Sequence, residues 1–183
     1  TDELSPGEHI ITITVTDSDG NVTTDTVVIV IAENGAPTDP EVEIVPDPAY
    51  TNDNLFAVLT VHPSDPDGDP LTITYSWSVD GVAYTEGSDT SIPASATTKG
   101  QEWCVTVVAS DGVDSSGSDT DCLVVQNSLP SIESVDISPD TPAADDVLSC
   151  AYFGFSDIDG DPDHSRYAWA VNGVYVGSGS TLA

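Results

Sequence analysis

Positive charge is almost missing from this chain. Lys99 and Arg166 stand alone against 32 acids, and the formal net charge is -30. Nucleic acid is thereby excluded as a partner, because phosphate backbones are held by clusters of Lys and Arg. Anionic membrane surfaces are disfavoured on the same ground. Divalent cations, high salt and basic partners are favoured. Methionine is absent too, and no run of about 18 apolar residues exists to insert into a bilayer. No window sustains a 3.6-residue apolar period, so helices are expected to be rare. The text starts in the middle of a pattern and without an initiating Met, which predicts a piece of a longer chain.

Catalytic signatures are equally scarce. The sequence holds no G-x-S-x-G elbow and no P-loop. His9, His62 and His164 are scattered, without zinc-ligand spacing. Carboxylate pairs abound but lie on turns, with no apolar pocket to raise one pKa. The expectation is that the protein is not an enzyme.

What the chain does hold is aspartate, with 24 of the 32 acids being Asp. Ser64–Gly81 reads SDPDGDPLTITYSWSVDG, and Ser156–Gly173 reads SDIDGDPDHSRYAWAVNG. Asp65 to Asp157, Trp77 to Trp169 and Gly81 to Gly173 are each 92 residues apart, while the linkers ENGAP and QNSLP are 93 apart. A repeat of this length outranks any single motif. It divides the chain into residues 1–34, the tail of one unit, residues 35–127, a complete unit, and residues 128–183, the head of a third. Short Asn-x-x-Pro junctions predict neighbouring units that touch.

The complete unit reads as seven short strands, near Glu41–Val45, Leu55–His62, Thr72–Val79, Val82–Thr85, Thr90–Pro93, Glu102–Ser110 and Thr120–Gln126. Leu71, Ile73, Tyr75, Trp77 and Val79 alternate with Thr and Ser, which is one buried face and one wet face. Trp103, Val105, Val107 and Ala109 do the same, and Ile11, Ile13 and Val15 repeat the phase in the first piece. Seven strands with a Trp on the third predict an all-β fold of tandem immunoglobulin-like Greek-key β-sandwiches.

The three cysteines require arithmetic. Cys104 and Cys122 lie nine residues either side of Val113, the centre of a predicted hairpin turn. Cys104 has the opposite parity to Trp103 and Val105, so it faces outward. Opposed outward positions on paired strands are close enough to bridge, and a Cys104–Cys122 disulfide is predicted. Ile10 holds the position equivalent to Cys104, so the first unit lacks this staple.

In Asp65-Pro66-Asp67-Gly68-Asp69 and Asp157-Ile158-Asp159-Gly160-Asp161, alternate carboxylates flank a Gly. Such a loop can aim several oxygens at one calcium ion, which takes six to eight at about 2.3–2.6 Å. It is not an EF-hand, since position twelve falls on Ser76 or Ala168 where a bidentate Glu is required. Further ligands would have to come from Asn52 and Asp53, from Asp111 and Asp114, or from backbone carbonyls. The bland alternative is that Asp-Gly forms turns capped by Asx side chains with no metal at all. The turn Asp17-Ser18-Asp19-Gly20-Asn21 is a lesser candidate of the same kind, contributing Asp17 and Asp19. Asn21-Val22-Thr23 is a lone glycosylation sequon.

The order Asn-x-x-Pro, TND, D-x-D-G-D, Y-x-W-x-V-[DN]-G and S-D-G resembles tandem bacterial Ig-like repeats, similar to PKD and cadherin-like modules of large secreted or cell-surface proteins. The resemblance implies an extracellular location on a bacterial surface and a role as stalk, spacer or adhesion element. It implies neighbouring repeats of the same chain as partners. It also implies that Cys150, on the second strand of its unit, is unpaired here and has its partner on a sixth strand downstream, an intermolecular bridge being the lesser alternative. Two other functions stay open. One is glycan binding, for which Tyr50, Tyr84 and Tyr175 are the available aromatics. The other is a head-to-tail filament, in which one copy's head half pairs with another's tail half.

Overall fold

The computed structural model describes residues 4–86 and 90–183. The described chain is nearly all-β, with 49% of residues in strands arranged in several antiparallel sheets, and its one helical element is the single 3-10 turn Ala94–Ala96. It falls into two compact units, one within Thr1–Glu41, Leu59–Thr74 and Val107–Asp119, the other within Val42–Val58, Tyr75–Thr106 and Thr120–Ala183.

The first residues form a long hairpin of β1 (Gly7–Thr16) and β2 (Val22–Ile31), paired residue for residue with Ile10 opposite Val28. The middle of the chain gives β3 (Glu41–Val45), β4 (Leu55–Val61), β5 (Thr72–Val79), β6 (Val82–Tyr84), β7 (Ser91–Ile92), β8 (Glu102–Ser110) and β9 (Asp119–Val124). These make one sheet of order β3-β4-β7 and another of order β6-β5-β8-β9. Seven strands stand where the alternation placed seven, with ends differing by one or two residues.

The core is built from the inward positions of these strands. Val42, Ile44, Leu55, Trp77, Ile92, Trp103, Val105 and Leu123 are buried, and Val107 and Ala109 continue the row along β8. Trp103 sits edge-on to both Trp77, with ring centroids 6.5 Å apart, and Tyr84, at 4.9 Å. Its indole N–H donates to Gln101 Oε1 at 3.1 Å, so burial leaves no orphaned donor. The turn from β5 to β6 puts Asp80 at φ 51° and Gly81 at φ 77°, the left-handed pair that a two-residue hairpin needs to match strand twist.

The last part repeats this pattern in partial form. β10 (Ser134–Ser138), β11 (Leu148–Phe153) and β14 (Thr181–Leu182) form a sheet of order β10-β11-β14, and β12 (Ala168–Val171) pairs with β13 (Val174–Ser178). Asn172 and Gly173 take φ 53° and 82°, the turn geometry of Asp80-Gly81 reproduced 92 residues on. Trp169 is buried like Trp77, with its indole N–H donating to the Gly179 carbonyl at 2.9 Å.

One expectation is corrected. Ile11, Ile13 and Val15, which repeat the phase of the inward-facing residues of β8, are all exposed, as is Val27 opposite Ile11. Their alternation matches that of β8, but among the described residues their sheet has two strands only, β1 and β2. Alternation marks the face a strand turns toward a core; burial needs the core to be present.

Candidate functional site

The three Asp-rich turns share one hydrogen-bond scheme. In the first knot Asp65 Oδ1 accepts the amides of Asp67, at 2.8 Å, and Asp69, at 3.1 Å, and its carbonyl accepts Gly68 N–H at 3.3 Å. In the second knot Asp157 Oδ1 accepts Asp159 and Asp161 at 2.9 and 3.3 Å, and its carbonyl accepts Gly160 at 3.2 Å. Asp17 does the same for Asp19, Asn21 and Gly20. Gly20, Gly68 and Gly160 all have positive φ, which explains the residue type. The leading Asp of each loop is therefore a turn residue, an Asx cap holding its own backbone.

The middle Asp has another task. Asp67 Oδ2 accepts the amide of Gly35 at 2.6 Å, and Asp159 Oδ2 accepts the amide of Ser128 at 2.6 Å. Gly35 and Ser128 are the same position of the two linkers, 93 residues apart. Each knot thus clasps the linker that leads into its own repeat.

At the second knot the clasp extends further back along the chain. Asp159 Oδ1 accepts the Thr51 hydroxyl, and Asp161 Oδ1 takes an ion pair from Lys99 Nζ. Lys99 also donates to Asn127 Oδ1 at 3.0 Å, while its own amide donates to Thr51 Oγ1 at 2.8 Å. Thr51, Lys99, Asn127 and Ser128 thereby tie the end of the complete repeat and its exit linker to the loop of the next. The Thr51 hydroxyl, followed by the Ser128 amide and the Lys99 charge, holds the Asp159 carboxyl below the ordinary carboxylate value, against partial desolvation. The hydrogen bond to Asp161, with the summed field of Asp161, Asp159 and Asp157, holds the Lys99 ammonium above its ordinary value.

At the first knot the linker is held by amide chemistry. Asn34 Nδ2 donates to Asp111 Oδ2 and to Asp114 Oδ2, both at 2.9 Å. The Asn34 amide, with backbone N–H groups of Asp114 and Val113, holds the Asp111 carboxyl below its ordinary value. Asp65 Oδ2 is buried with no hydrogen-bond partner. A buried carboxylate oxygen without a donor is costly unless a cation or water meets it.

For metal chemistry the predicted residues separate. The carboxylate oxygens of Asp157, Asp159 and Asp161 lie within 4.8 Å of one another, and this is the one such group of three among the described residues. Asp65, Asp67 and Asp69 are not gathered this way, and neither are Asp17 and Asp19 with a third acid. Asp53 Oδ2 serves its own turn by accepting Tyr50 N–H at 2.8 Å, beside Asn52 at φ 65°.

Cys104 and Cys122 form a disulfide across the outer face of β8 and β9, and Cys150 is a free, half-buried thiol on β11, opposite Ile137. Tyr84 is taken up by its packing on Trp103, while Tyr50 and Tyr175 are exposed on separate elements. The residues that sequence reasoning missed are Thr51, Lys99, Asn34 and Ser128. One signal was available: Lys99 is one of two strong cations in a chain of 32 acids. No protein-family model and no curated protein sequence matches this chain.

Proposed function

We propose that the chain is a non-catalytic structural segment of an extracellular or bacterial cell-surface protein. Its units are tandem immunoglobulin-like repeats of the PKD or cadherin-like kind, and the Asp knots latch each repeat to its neighbour as a stiff spacer. The observation that carries this reading is Asp159. Both of its carboxylate oxygens are taken by groups outside its own loop, Thr51 from the body of the preceding repeat and Ser128 from the linker. A latch of this sort converts a short flexible joint into a fixed one, and stability then adds along the array. Neighbouring repeats are the partners. Nucleic acid is not, given the charge, and no helix among the described residues is long and apolar enough to cross a membrane. The Cys104–Cys122 bridge suits an oxidising compartment.

The two knots are neutralised in different ways. Lys99 supplies the cation at Asp157–Asp161. At the first knot the unpartnered Asp65 Oδ2 calls for one, and calcium fits oxygen donors of this kind. Asp65 Oδ2 would be its first ligand, and Asp67 and Asp69, whose carboxylates do not gather around it here, would have to turn toward the ion.

The test is backbone 15N relaxation on the 183-residue chain. Residues of β3–β9 and of β10–β14 should report one common tumbling time, and Asp159→Ala should split it into two. Independent tumbling of the two groups before any substitution would sink the spacer reading.

A further inference from the structure

We propose that Asn34-Gly35 is a deamidation site guarded by the first knot. While the knot grips both residues the side-chain amide persists. Once the grip opens, Asn34 converts to aspartate or isoaspartate and the grip does not re-form. The inference goes beyond the spacer reading and rests only on the geometry of the first linker.

Asn followed by Gly is open to this reaction because Gly has no Cβ to hinder the approach of its nitrogen. The Gly35 amide loses its proton and attacks Asn34 Cγ. An N–Cγ bond forms in a five-membered succinimide, the Cγ–Nδ2 bond breaks, and Nδ2 leaves as ammonia with the displaced proton. Water then opens the ring at either carbonyl carbon, leaving aspartate or isoaspartate at position 34. Water is the one co-reactant.

The fold engages both reacting groups. The nucleophile is held because Gly35 N–H donates to Asp67 Oδ2 at 2.6 Å. The leaving group is held because Asn34 Nδ2 donates to Asp111 Oδ2 and Asp114 Oδ2, both at 2.9 Å. Ring closure must break both holds, since Cγ has to swing onto the Gly35 nitrogen. The three carboxylates also oppose loss of the amide proton, which would place a further anion beside them. The reaction therefore runs through the open state, and its rate falls with the population of that state.

The fit itself demands the labile pair. One Asn nitrogen supplies the two donors that Asp111 and Asp114 take up. A Cβ at Gly35 would stand 3.2 Å from both Asp67 Oδ2 and Pro66 Cγ, closer than ordinary van der Waals contact. The second linker has Asn127-Ser128 at these positions. There Asn127 Oδ1 accepts from Lys99 at 3.0 Å, and Ser128 carries the Cβ that slows ring closure. Of the two linkers, the first alone holds Asn-Gly.

The product undoes the grip. A carboxylate at position 34 has no N–H to donate and stands against Asp111 and Asp114 as a third like charge. Isoaspartate also adds a carbon to the backbone, which moves the Gly35 amide off Asp67. Strong cations number two in the whole chain, and Lys99 is engaged at Asp161, so little is on hand to offset the repulsion.

The test incubates the 183-residue chain in mildly alkaline buffer with EDTA. Digestion after Glu33 and Glu41 isolates residues 34–41, in which Asn34 is the one side-chain amide, so the mass gain of an amide-to-acid exchange reads it alone. Conversion should be at least about tenfold slower in the folded chain than in urea. Asp67→Ala should erase most of that difference and Asp114→Ala part of it, with Trp103 emission reporting that the complete repeat stays folded in each. Asn34→Asp reproduces the product: exchange of the Gly35 amide should quicken at least about tenfold, while that of Ser128 at the second knot should not change. Equal conversion in the folded chain and in urea overturns the inference. So does a failure of both carboxylate variants to speed conversion, or unchanged Gly35 protection in Asn34→Asp. The spacer reading is decided at the second knot by the Asp159 relaxation experiment, and a failure at Asn34 leaves it standing.

Discussion

Ile10→Cys with Val28→Cys should install in the first hairpin the staple that the complete repeat already carries. The two residues are direct register partners on β1 and β2, and both are exposed. They match Cys104 and Cys122 in parity and in a separation of 18 residues. Removing two exposed side chains costs within about 0.5 kcal/mol each. Closing a loop of this length restricts the unfolded chain by about 3 kcal/mol in the loop-entropy treatment. An isolated two-stranded hairpin is marginal in water, so the gain should be plain. It corresponds to roughly a hundredfold slower amide exchange along β1 and β2 at low protein concentration. Intact mass after air oxidation should show loss of two hydrogens beyond those lost in the Cys104–Cys122 bridge, and dithiothreitol should return both mass and exchange to their starting values. Thiols that stay free, or that bridge with no slowing of exchange, would refute the claim that β1–β2 is a β8–β9 pair in register.

Calcium titrated by calorimetry should give one site that Asp65→Asn abolishes, because Asn keeps the Asx cap but loses the charge, and EDTA should lower the melting temperature; no heat and an unchanged melt would remove the metal from the first knot. Lys99→Ala should add a second calcium site at Asp157, Asp159 and Asp161, where the ion replaces the ammonium. The latch should hold across a wide pH range. The Asp159 carboxyl lies below its ordinary 3.8, so its contribution is complete above that value and is lost as pH falls through the lowered one. The Lys99 ammonium lies above its ordinary 10.5, so its contribution is complete below that value and is lost as pH rises through the raised one. Tumbling that splits anywhere between about pH 5 and pH 9 would contradict both directions.

Much of the fold was legible in one dimension because strands have a period of two. Leu71 to Val79 and Trp103 to Ala109 announced their strands, and Asp80-Gly81 announced a turn that demands positive φ. The outward parity of Cys104 pointed to its partner across the hairpin. The candidate site was half legible. Asp65 and Asp157 could be read as turn residues from Asp-x-Asp-Gly alone, since an Asx cap is a contact between near neighbours. The partners of Asp159 could not, because Thr51 lies 108 residues away and no local pattern encodes a contact at that distance.

Local chemistry therefore settled the strands, their inward faces, the turns and the length of the repeat, all of which depend on residues a few positions apart. Three matters waited on the assembled chain. Ile11, Ile13 and Val15 carry the same pattern as Val105, Val107 and Ala109, yet the first three are exposed and the second three buried. Lys99 reads as one cation among many acids until folding sets it against Asp161. Asp67 and Asp159 look like their neighbours until the linker amides reach them. In each case the deciding quantity is proximity between segments far apart along the backbone, which only folding creates.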